Sequence, residues 1–121
     1  AVTSAKIAAG SVSYDKFAPT QVDTVSGSSY TLVLTDAAKT LRTTSSSATT
    51  VTVPNNGTVA FPTGTEIYVM QYGSGQVSFS AASGVTLRSD SSRVKIKTQY
   101  SSASLLKIDT NEWVLTGNLG A

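Results

Sequence analysis

At 121 residues the chain is long enough for one ordinary domain, and its charged content of 13% is about half of ordinary usage, with nine Lys and Arg against seven Asp and Glu. The absence of Cys and His excludes a disulfide framework, a thiolate metal site and the usual imidazole base or ligand. A net charge of +2 from so few groups, without a basic run interleaved with aromatics, argues against nucleic acid as a partner, and no apolar run approaches the ~18 residues of a membrane span.

Residues 1–20 hold a repeat of ten, AVTSAKIAAG followed by SVSYDKFAPT, in which Val2 answers Val12, Lys6 answers Lys16 and Ile7 answers Phe17. Two short copies cannot bury their own apolar residues and need neighbours or further copies. Val2, Ile7, Val12 and Phe17 recur at spacings of five, which suits neither a heptad nor an amphipathic helix. These four are the expected oligomer or virion attachment residues. With Pro19 and the polar stretch Thr20–Ser29 read as a linker, residues 1–29 form an extended N-terminal arm. The chain opens on Ala1 rather than Met, as a processed protein or a piece of a longer one would.

From Tyr30 a series of short strands is expected. Tyr30–Thr35 is the first, followed by a turn that Asp36 is placed to cap. Lys39–Thr44 and Thr50–Val53 follow, the latter stopped by Pro54. Pro54-Asn55-Asn56-Gly57 carries turn chemistry throughout. Glu66–Tyr72 is almost continuously β-branched, aromatic or long and apolar, as a strand buried on both faces would be. Gly73-Ser74-Gly75 offers the positive-φ positions of a tight turn, and Gln76–Ser80 alternates apolar and hydroxyl residues, so Thr65–Val85 reads as a central hairpin. Val85–Ser89, Arg93–Thr98 and Ala103–Ile108 are further strands, the second with Val94 and Ile96 inward. Asp109–Glu112 is a hairpin turn into Trp113–Thr116. Strands about ten residues apart with turn signals between them predict an all-β fold, an antiparallel β-sandwich or barrel-like domain over residues 30–121. Serine and threonine supply about three residues in ten, so hydroxyls replace charges on its surface.

Three phrases in order, YTLVLTDAAKTLR, TVTVPNNGTVAFPTGTEIYVMQYGSGQVSFSAASGVTLRS and QYSSASLLKIDTNEWVLTGNL, resemble a β-rich module that recurs in tailed-bacteriophage fibres and other virion proteins. The ten-residue repeat resembles the short AVTxAKI-type repeats of fibre shafts. The resemblance implies a structural virion protein, usually trimeric, without catalytic residues: a fibre knob involved in host attachment. The alternative is a capsid decoration protein or head fibre that docks on the shell through its N-terminal arm. Its implied partners are copies of itself, other virion proteins and a host surface glycan or protein. Its place is the virion, assembled in the host cytoplasm.

Two side-chain groups stand out beyond the repeat. Arg93, Lys95 and Lys97 share one strand face with Arg88 on a neighbouring strand, a basic stripe for an anionic partner or else the charged edge that keeps a sheet from aggregating. Tyr68, Met70 and Tyr72 share the face opposite Ile67 and Val69, and these residue types are enriched at subunit interfaces. Asp109 and Glu112 are explained by the turn they flank, and serine without histidine makes no familiar triad. No enzyme activity and no cofactor or metal are expected.

Overall fold

The computed structural model describes residues 21–121. Within them the chain is all-β, with two 3₁₀ turns and eleven strands in two sheets. The strands are β1 (Val22–Val25), β2 (Ser29–Thr31), β3 (Thr40–Thr43), β4 (Thr49–Val53), β5 (Glu66–Gln71), β6 (Val77–Ala81), β7 (Thr86–Ser89), β8 (Lys95–Ile96), β9 (Ser102–Asp109), β10 (Glu112–Gly117) and β11 (Leu119–Gly120). The first sheet has the order β1-β3-β5-β9-β10-β7 and the second β11-β8-β6-β4-β2.

The expected all-β sandwich of two sheets is present, but its strand directions are mixed. Successive strands from β1 to β6 alternate between the sheets, so that β1-β3-β5 and β2-β4-β6 are each parallel ladders. The chain therefore winds as three stacked coils, each giving one strand to either sheet. Antiparallel pairing enters only beyond the third coil, where β9 joins β5 and turns into β10, β8 joins β6, and β11 joins β8. β7 pairs with β10 in parallel. The residues expected as a linker are corrected by this topology. Val22–Val25 pairs with β3 in register, Val22 beside Thr40 and Val25 beside Thr43, so the folded unit starts before Tyr30.

The central pair is corrected too. β5 and β6 lie in different sheets, and Tyr72–Gln76 is the corner of a coil rather than a hairpin turn. Neither Gly73 nor Gly75 has positive φ. What requires glycine is the corner of the preceding coil: a Cβ on Gly73 would stand 2.3 Å from the Ser45 oxygen, and one on Gly75 would stand 1.8 Å from the Ser47 oxygen. Gly73 N–H donates to Thr43 and Gly75 N–H to Ser45, at 2.8 and 3.0 Å. The two corners thus stack backbone on backbone. Buried Gln71 fastens the same corner from inside, its Oε1 accepting the Val77 N–H at 3.1 Å.

The core lies between the sheets. Leu41, Val51, Val53, Ile67, Val69, Val77, Phe79, Ile96, Leu105, Trp113 and Leu115 are all buried there, each at an inward position of its strand's two-residue period. Ile96 faces inward as expected. Trp113 meets Phe61 edge-to-face at 5.4 Å between centroids, an arrangement worth ~1 kcal/mol beyond its buried area. The β9–β10 hairpin forms as expected, with Asn111 at φ 58° in its turn, a conformation Asn tolerates. Asp36 caps the 3₁₀ turn Leu34–Asp36 by reaching back, Oδ2 accepting the Val33 N–H at 2.9 Å and the Tyr30 hydroxyl at 2.7 Å.

Candidate functional site

Each sheet has one face turned away from the core, and the two outer faces differ in chemistry. On the first sheet, β5 alternates rather than burying both sides: Ile67, Val69 and Gln71 are inward, while Tyr68 and Tyr72 are 40% and 48% exposed. This corrects the expectation of a strand buried on both faces. Tyr68, Met70 and Tyr72 do share one face, and the register places Thr40 and Arg42 beside the first two on β3, and Ser104 and Ser102 on β9. Tyr72 packs edge-to-face on Tyr100 at 5.7 Å, and the Arg42 guanidinium sits 5.3 Å from its ring centre. The Tyr68 hydroxyl donates to Glu66 Oε2 at 2.8 Å, a hydrogen bond to a carboxylate that raises its pKa. Exposed Ile108 extends the apolar character of this sheet, as do Leu106 and its cross-strand partner Val114.

Sequence reasoning missed Arg42, Tyr100 and Ile108 in this group. Arg42 belongs to a neighbouring parallel strand and Tyr100 to a turn, so no local pattern joins either to Tyr72. For Ile108 a signal existed in the alternation of β9. With Ala103 and Leu105 inward, Leu106 and Ile108 must point out and Lys107 in. Lys107 is indeed 2% exposed, its Nζ donating to Asn56 Oδ1 and to the Phe61 carbonyl. It ties the loop between β4 and β5 onto the sheet.

The outer face of the second sheet is hydroxylated. The strand periods turn Ser29 and Thr31 of β2, Thr50 and Thr52 of β4, and Ser78 and Ser80 of β6 away from the core. Register sets them in rows, Ser29 beside Thr50 beside Ser78, and Thr31 beside Thr52 beside Ser80. Lys95 continues the first row beyond Ser78 and pairs in turn with Gly120. Arg93, Lys95 and Lys97 are all exposed, and Ser92, Arg93, Val94, Lys95, Gly120 and Ala121 line an open cleft of about 290 Å³.

The four basic residues do not form one stripe. Arg88 lies on β7 in the first sheet, where its Nε donates to Glu112 Oε2. Among the described residues the ion pairs are Arg88–Glu112 and Lys39–Asp23, so Arg93, Lys95 and Lys97 have no carboxylate partner there. Nor is β8 an edge, since β6 and β11 flank it. Edge protection therefore does not account for Lys95, the one charge on β8 itself, which Arg93 and Lys97 bracket. Val2, Ile7, Val12 and Phe17 lie outside the described residues.

Asp109 and Glu112 have structural partners, the Thr110 N–H and Arg88 respectively. Among the described residues no three His, Cys, Asp or Glu side chains gather as a metal site. Comparison of the chain with protein-family models, with curated proteins and with solved structures finds no match.

Proposed function

We propose that this chain is the terminal module of a tailed-bacteriophage fibre, a non-enzymatic trimeric knob that takes part in host attachment. The observation that carries the reading is the asymmetry of the coil stack. Among the described residues β1 and β2, the two strands of the first coil, are both sheet edges, and β1 is the first described strand. Neither edge strand contains a proline, a bulge or a lysine, three of the devices that blunt an edge. At the other end the coil winding stops: antiparallel strands follow, and the far edges are the two-residue β11 and β7, whose Arg88 is paired with Glu112. A stack open at its N-terminal end and finished at its C-terminal end is suited to cap a longer structure that precedes it. The phrases resembling fibre modules, and the shaft-like repeat before them, support the same order.

Trimer formation draws on the outer face of the first sheet. Exposed Tyr68, Tyr72 and Ile108 with half-buried Met70, Leu106 and Val114 give it apolar and aromatic surface that no other sheet covers among the described residues, and a closed ring of three buries such surface on every copy. Sedimentation of the intact chain at micromolar concentration tests the assembly, with a trimer expected. Labelling this chain on intact virions tests its place. Label at fibre ends is expected, and label over the head would replace the knob by a capsid decoration protein.

A further inference from the structure

We propose that the outer face of the second sheet is a binding surface for an anionic polysaccharide, with Arg93, Lys95 and Lys97 holding its acidic groups and the hydroxyl rows of β6, β4 and β2 holding its sugar backbone. This deepens the fibre-knob reading, on which it rests for its biological setting, by naming the attachment face and the ligand class.

Three observations converge on this face. The first is charge without a counter-charge: exposed Arg93, Lys95 and Lys97 lie on and beside β8, a strand that is not an edge, and none is paired with a carboxylate among the described residues. The second is shape. Gly120 lies opposite Lys95 with no side chain, and a Cβ there would come within 3.1 Å of the Lys97 backbone, so glycine lets β11 approach closely. The adjoining cleft of about 290 Å³ is at the lower limit of small-ligand pockets, a size for one sugar unit rather than a long buried ligand. The third is continuity. From Lys95 the hydroxyls of Ser78, Thr50 and Ser29 run on in register across three strands, spaced ~4.8 Å apart, with a second row ~6.7 Å away along the strands. Every group in these rows both donates and accepts hydrogen bonds.

The same face argues against other polyanions. Among the described residues it presents no aromatic ring on which a base could stack. It also lacks the apolar centre that a protein partner's interface would need. A polymer of hydroxyls with periodic carboxylates or sulfates matches both halves of the surface.

The test uses the intact chain and polygalacturonate, with the methyl-esterified polymer and polyglutamate as comparison ligands. Titration calorimetry is expected to show binding to polygalacturonate that weakens with added salt, and none to the ester. The double variant K95E/K97E, and independently R93Q, should weaken binding by about tenfold or more. T50V/T52V should weaken it several-fold with an unchanged salt dependence, and R88Q, on the other sheet, should leave it unaltered. Equal binding of the ester, tighter binding of polyglutamate, indifference to both K95E/K97E and R93Q, or no binding at low salt would each overturn the proposal. None of these results moves the label on the virion, so the knob reading stands or falls separately.

Discussion

Gly75→Ala probes the stacking of coils directly, because what it disturbs is a contact between backbones. The new Cβ would stand 1.8 Å from the Ser47 oxygen, 2.4 Å from its carbonyl carbon and 2.9 Å from the Ser45 oxygen. No rotamer change relieves contacts with main-chain atoms. To reach ordinary contact at 3.4 Å the two corners must part by about 1.6 Å. That separation breaks the 3.0 Å hydrogen bond from Gly75 N–H to Ser45. Overpacking of this kind costs about 1–3 kcal/mol, and the lost hydrogen bond adds about 1 kcal/mol. The sum, about 3 kcal/mol, is a large part of the roughly 5–15 kcal/mol by which domains are stable. It lowers the melting temperature by about 12 °C or more at this size. Gly84→Ala is the internal reference. Gly84 has φ 86° with nothing within 4 Å of its would-be Cβ, so it carries only the left-handed backbone cost of about 1–2 kcal/mol. Urea unfolding of both variants, compared through their midpoints at equal m-value, decides the matter. Gly75→Ala no more costly than Gly84→Ala would refute the stacked corners.

Lys107→Met should cost about 1–3 kcal/mol in the same assay, because the methionine leaves the Asn56 and Phe61 acceptors without their donor. Gln71→Leu, which keeps the volume but strips the Val77 N–H of its acceptor, should cost a similar amount. Phe61→Ala should cost about 3–5 kcal/mol through the cavity it leaves against Trp113. Burial, and then the hydrogen bond to Asp36, raise the Tyr30 pKa from 10.0 to about 12. The neutral phenol is the form favoured by folding, so its contribution is complete below pH 10 and is lost as the pH rises through about 12. Phenolate absorbance, with Tyr30 assigned by the phase that Tyr30→Phe removes, should show it titrating late, and Asp36→Asn should bring it earlier; an unchanged titration in that variant would remove Asp36 from the cause.

Most strand positions from β3 to β10 were legible in the residues alone, since β-branched runs, period-two alternation and Gly, Pro and Asn breaks are local signals, whereas the strand expected over Tyr30–Thr35 ends at Thr31 and gives way to the 3₁₀ turn Leu34–Asp36, and β11 carries no such signal. Alternation within β6, the inward Ile96, the β9–β10 hairpin and the shared face of Tyr68, Met70 and Tyr72 all follow from such signals. Partnership was not legible. A strand with one inward face reads the same whether its neighbour runs parallel or antiparallel, and whether the next strand stays in its sheet or crosses to the other. Thus β5 and β6 read as a hairpin, although each pairs with strands a full coil earlier, and β1 read as linker because its partner β3 supplies what its own residues lack. Gly73 and Gly75 were legible as glycines with a purpose, but the purpose lies in Ser45 and Ser47, and only folding brings those corners together. The same holds for the basic residues. Sequence nearness grouped Arg88 with Arg93, Lys95 and Lys97, while the 3₁₀ turn Asp90–Ser92 carries the chain from one sheet to the other between them. Local propensity decides which residues are extended; the route of the chain between sheets decides which of them meet, because that choice depends on packing the coils against one another and is written in no single segment.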